Sequence, residues 1–136
     1  MTEQNGSNLE QYYTFIQTNG KLRSMDHAQR WSTAVLKTLG FNLDKRVKKD
    51  LAGALPKELA HDLTRVFWLV HFRHTTISRS EFLDQTARRS GNTDVAFARY
   101  PTTAVFAGVK GMIDRQLADR VAESLSPEVR ALWQQA

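Results

Sequence analysis

Apolar side chains return every three or four residues along most of this chain, the spacing of one buried helix face. Ala28, Trp31, Val35, Leu36 and Leu39 share one side of a helix that the sequence starts near Ser24 or Asp26 and ends at Gly40 as a C-cap. Leu43, Val47, Leu51, Ala54 and Leu55 carry the rhythm into a further helix with Asn42 as its N-cap. Pro56 stops that helix, and another runs from Lys57 to about Leu63. An earlier helix is opened by Tyr13, Phe15 and Ile16 and closed by the turn residues Asn19-Gly20.

The pattern then comes round again. Shifted by seventy positions, residues 28–63 align without a gap on residues 98–133. Thr33-Ala34-Val35 falls on Thr103-Ala104-Val105, Leu43-Asp44-Lys45 on Ile113-Asp114-Arg115, Leu51-Ala52 on Val121-Ala122, and Leu63 on Trp133. Phe82 and Leu83 open the second copy behind a capping box of Ser78 and Glu81, and Ser90-Gly91-Asn92 supply its first turn, in a loop expected to differ slightly in length from its counterpart. Pro101 falls where Trp31 stands in the first copy, so the helix should kink or begin anew there. Ser126-Pro127-Glu128 offers an N-cap followed by proline at the first helical position.

Two copies are too few for an open solenoid, so the expected fold is all-α, a single globular domain of two tandem pseudo-equivalent multi-helix repeats packed together. Its predicted limits are a flexible N-terminal tail over residues 1–11 and one all-helical domain over 12–136, with repeat one about 12–65, a bridge over 66–78 and repeat two about 79–136. The bridge is apolar on all sides from Val66 to Phe72 and β-branched at Thr75-Thr76-Ile77. A buried helix is expected there, with a strand as the alternative.

Composition narrows the classes. A chain of 136 residues suits one domain. The absence of cysteine removes disulfides, thiolate catalysis and cysteine-ligated zinc, and suits a reducing compartment, so a cytoplasmic location is expected. Met1 to Asn8 is polar and unlike a secretory signal, and the longest apolar run, Val66 to Val70, falls far short of the roughly 20 residues of a membrane span. No membrane partner is expected. The net charge of +5 would draw polyanions, but ten basic and seven acidic residues in 1–70 against nine and seven in 71–136 leave no polarised tail.

The order of Phe15-Ile16, Ala34-Val35-Leu36-Lys37-Thr38-Leu39 and Ala54-Leu55-Pro56-Lys57-Glu58-Leu59, followed by Ser80-Glu81-Phe82-Leu83, resembles the bacterial family catalogued as domain of unknown function 2267. The resemblance spans most of the chain and implies a helical fold, with no catalytic signature. Two places depart from the family pattern: the bridge flanked by His71, and Ser124-Leu125-Ser126-Pro127, where the proline is shifted by one residue.

Candidate chemistry is sparse. Lys45, Arg46, Lys48 and Lys49 are predicted to lie together on the side of their helix opposite Leu43, Val47 and Leu51. The second copy carries Arg115, Gln116, Ala118 and Asp119 at those positions, so the fold itself does not demand a basic surface. It reads either as a solvated face or as a contact for phosphates or an acidic protein, with Lys57, Arg88 and Arg89 adding to it if folding brings them together. His71 and His74 lack a third ligand at motif spacing, so no metal is expected. Gly108-Val109-Lys110-Gly111 lacks the length and preceding strand of a phosphate loop. Asp44 and Asp50 read as surface charges, and no catalytic residue or cofactor is assigned. Tyr12, Tyr13, Phe15, Trp31 and Trp133 read as core, whereas Phe67, Trp68 and Phe72 exceed what one amphipathic helix can hide and are the apolar partner-contact candidates.

The expected function is a non-catalytic helical protein–protein interaction module with an unidentified protein partner. Its alternatives are a non-specific nucleic-acid-associated protein using Lys45, Arg46, Lys48 and Lys49, and a small-ligand binder with a pocket between the copies. Self-association is left open.

Overall fold

Most helices here begin where a short polar side chain holds the first free backbone N–H groups, an arrangement that typically contributes about 1 kcal/mol per cap. In the computed structural model, which describes residues 2–65, 76–92 and 94–136, the order is α1 (Thr2–Asn19), α2 (Met25–Asn42), α3 (Lys45–Ala54), α4 (Lys57–Thr64), α5 (Arg79–Ser90), α6 (Val95–Lys110), α7 (Arg115–Ser124) and α8 (Pro127–Gln135). Ser24, Asp44, Ser78, Asp94, Asp114 and Ser126 accept the capping hydrogen bonds of α2, α3, α5, α6, α7 and α8. The fold is all-α, with no strand among the described residues.

Helices α5 to α8 retrace α1 to α4 at the shift of seventy. The N-caps Ser24, Asp44 and Pro56 correspond to Asp94, Asp114 and Ser126, and the C-cap Leu55 to Leu125. The first loop obeys the same shift. The Leu22 N–H bonds to the Gln17 carbonyl at 2.9 Å, and the Asn92 N–H to the Ala87 carbonyl at 2.8 Å. The loop spans 20–24 in the first copy and 91–94 in the second, the slight difference in length that the sequence leads one to expect, while this hydrogen bond keeps the same register. Each loop has one left-handed residue, Lys21 (φ 58°) and Gly91 (φ 86°).

Helix α1 lies against α6 as α5 lies against α2, while α2 touches α6 and α3 touches α7. This is the contact pattern that two copies facing each other about an approximate two-fold would make. Between them Ile16, Leu36, Leu39, Phe82, Phe106 and Trp133 are completely or almost completely buried, each contributing about 1.5–3 kcal/mol in the transfer picture. The backbone N–H of Asp44 donates to Ser124 Oγ at 2.7 Å and joins the copies near α3 and α7.

Several sequence expectations are corrected. Gly40 is no C-cap, because α2 runs on to Asn42. It is a crossing point, where a Cβ would come within 2.1 Å of the Leu63 carbonyl oxygen of α4. Asn42 is buried and donates to the Thr38 carbonyl, and Asp44 caps α3 instead. α6 does not begin anew at Pro101: it is already nucleated at its Asp94 cap and runs unbroken to Lys110, with the proline buried beside Gly20. Helix α1 starts at Thr2, well before residue 12, and Leu9, three and four residues ahead of Tyr12 and Tyr13, extends its core-facing side. Ala54 is exposed, and so is Phe15, at 40 %. Val66 to Thr75, and with them Phe67, Trp68, Phe72, His71 and His74, lie outside the described residues.

Candidate functional site

The turn after α1 brings a basic side chain against the second copy. Its left-handed residue aims Lys21 across to the second copy, where Nζ sits 4.1 Å from the centre of the Tyr100 ring. Arg99 stands over the same ring at 4.7 Å and donates from Nη2 to the Tyr100 hydroxyl at 2.8 Å. That hydrogen bond, with the nearby charges of Arg99 and Lys21, pulls the Tyr100 phenol below its ordinary pKa. Phe97 links this ring to the core, edge-on to Tyr100 at 6.1 Å and to the buried Trp31 at 5.9 Å.

Around these rings three clefts adjoin. One, of about 450 Å³, lies where the α1–α2 and α5–α6 loops meet and is lined by Lys21, Arg23, His27, Arg30, Asp94 and Phe97 among others. Asp94 and Phe97 also line the second, of about 590 Å³, together with Arg79, Arg99 and Tyr100. Those last three line the third, of about 430 Å³, which ends at Phe15 and Gln135. Lys21, Arg23, Arg30, Arg79 and Arg99 are all exposed. Asp94 is the one acidic side chain in the three linings, and its carboxylate accepts from the Phe97 N–H as the cap of α6. The ion pairs Arg88–Asp84 and Arg120–Asp50 engage no cation of this strip.

The basic cluster read from the sequence is dispersed by comparison. Lys45, Arg46 and Lys49 are exposed on α3, but Lys48 is buried on its core side with Leu51, its stem running past Gly40. The expectation that all four share the exposed side is therefore corrected. Residues 48 and 51 are three apart and define the inward stripe, whereas Val47 lies half outside it. Burial, with a smaller contribution from Lys45, lowers the Lys48 pKa. Arg88 is paired with Asp84, and Arg89 is exposed but engaged, donating to Thr38 Oγ1 at 2.7 Å and lying over Phe41. Lys57 lines a neighbouring groove of about 660 Å³, beside Phe15, Pro56 and Gly108. The basic residues that do share a surface, at 21, 23, 30, 79 and 99, are scattered along the sequence and join only through the meeting of loops. The one local signal was Lys21, standing where the aligned second copy has Gly91.

No group of three or more metal-ligating side chains occurs among the described residues. A half-buried carboxylate, Asp62, accepts from Thr33 Oγ1 at 3.1 Å and is raised above the ordinary carboxylate range by burial. Burial and the neighbouring carboxylates Asp62 and Glu58 push the Tyr13 phenol up to about 12. These groups are held within the helix packing and line none of the clefts described above. No helix among the described residues is long and apolar enough to cross a membrane.

No curated protein matches this chain. The family described as "Uncharacterized conserved protein (DUF2267)" matches residues 10–132, nearly the whole sequence and both copies of the repeat, and the chain belongs to that family.

Proposed function

We propose that this chain is a non-catalytic module that binds a polyanion on the strip formed by Lys21, Arg23, Arg30, Arg79 and Arg99. One observation carries the reading: three adjoining clefts bring five exposed cations together, with Asp94, engaged as a helix cap, and Glu128, bonded to the Arg79 backbone N–H, as the acidic side chains beside them. Such a concentration of one charge sign in concave surface raises the local concentration of an oppositely charged partner. The cysteine-free sequence suits action in the cytoplasm. Retention on immobilised heparin tests the proposal. The double variant Arg23→Glu, Arg99→Glu should elute at much lower salt than the parent, while Lys45→Glu, Lys49→Glu on α3 should shift far less. The reverse order would transfer the function to α3.

Docking of a protein partner is a second reading, favoured by Phe15. This exposed ring lines three neighbouring grooves on α1, the largest of them the groove beside Pro56 and Gly108. Light scattering of the parent and of Phe15→Ser would show whether a second copy is that partner.

A further inference from the structure

Resting on the polyanion reading, we infer that the strip binds single-stranded nucleic acid, with Tyr100 as a platform for a base and Lys21 as a cation that moves from the ring to a neighbouring phosphate. Shape argues first. The cations line indentations of about 430 to 590 Å³, not a projecting helix, and a duplex is read by elements that enter its grooves. Concave, basic surfaces interrupted by aromatic rings instead suit a strand whose bases are unstacked and splayed outward.

The rings are placed accordingly. Phe97 and Tyr100 are half-buried between Lys21 and Arg30 on one side and Arg79 and Arg99 on the other. Phe97 and the buried Trp31 brace Tyr100 in a chain of edge-on contacts, so its ring is held rather than free to rotate outward. Lys21 covers the ring through a cation–π contact, which a base can replace in kind because the ring offers the same π surface to both. An acidic polypeptide would use the cations but would have no use for the ring.

The backbone supplies an independent argument. Lys21 adopts a left-handed φ of 58° at the position its repeat counterpart fills with Gly91. Glycine adopts this conformation at no steric cost, so Lys21 stands there against a local conformational preference. The left-handed turn sets the direction in which the side chain leaves the backbone, across to Tyr100.

Fluorescence anisotropy of a short labelled oligothymidine, compared with a duplex of the same length and with polyglutamate, tests the inference. The single strand should bind at least about tenfold tighter than the duplex. The slope of log affinity against log salt should be about −3 to −4, at roughly −0.7 per neutralised phosphate for five cations. Tyr100→Leu should weaken binding roughly tenfold, while Tyr100→Phe, which keeps the ring, should stay within about twofold. Should Tyr100→Leu lose its helical circular dichroism, Phe97→Leu makes the same comparison. Equal binding of duplex or polyglutamate, or a Tyr100→Leu protein that binds like its parent, overturns the inference. Heparin retention that depends on Arg23 and Arg99 would then leave the polyanion reading standing, whereas its absence would overturn both.

Discussion

Asp50 and Arg120 occupy the same position in the two copies of the repeat, yet they carry opposite charges and are bonded to each other, Oδ2 to Nη2, at 2.8 Å. A residue meets its own counterpart only close to an axis relating two copies. Identical side chains there would place like charges in contact, and the chain avoids this by carrying opposite charges at these two positions. Both side chains are partly exposed, so the bond itself contributes at most about 1 kcal/mol. Asp50→Arg should destabilise by about 1 kcal/mol because it creates a like-charge pair, and adding Arg120→Asp should recover most of the loss. Urea denaturation of the two singles and the double gives the coupling, and additive effects would show that the pair is not coupled.

Gly40 should tolerate no side chain. A Cβ would lie 2.1 Å from the Leu63 carbonyl oxygen, a backbone atom that cannot swing aside as a side chain could. Gly40→Ala should therefore destabilise by about 1–3 kcal/mol despite alanine's higher helix propensity, by forcing α2 and α4 apart. Gly53, with nothing near its would-be Cβ, is the control. There, in α3, alanine should stabilise by about 0.5–1 kcal/mol.

Lys21→Gly should raise stability by about 1 kcal/mol, because it relieves the left-handed backbone as Gly91 does in the second copy. The same substitution should weaken polyanion binding. Thermal denaturation and heparin retention on one sample decide the point, since an ordinary surface lysine would show neither change.

Asp62 should make the protein less stable as pH rises. Its carboxyl is raised above the ordinary range by burial, with Thr33, His61 and Arg65 opposing the shift. Between the unfolded and native pKa values the native state holds more of the proton, so stability is greatest below this window and falls as pH climbs through it. Asp62→Asn should flatten that part of the profile and leave the protein at least as stable at neutral pH. Urea midpoints from pH 4 to 8 measure the difference, and unchanged profiles would mean Asp62 does not contribute. In the second copy the same position is Leu132, buried at 3 %, which shows that the packing there accepts an apolar side chain.

The sequence by itself determined the helices and their repetition. Helix starts, stops and inward faces depend on side chains within a few residues of one another, so Ser24, Ser78, Gly91, Pro56 and the stripe from Ala28 to Leu39 could be read locally. The seventy-residue shift was legible for the same reason, since both copies present the same local signals. Errors arose where a distant element set the answer. Gly40 reads as a helix end in the sequence, but α4 crosses it; Phe15 reads as core but is 40 % exposed; and Lys48 faces inward with its stem beside Gly40 of α2. The cationic strip belongs wholly to tertiary structure. Its five cations span residues 21 to 99 and form one surface only because the two copies face each other, a charge pattern that no local spacing encodes.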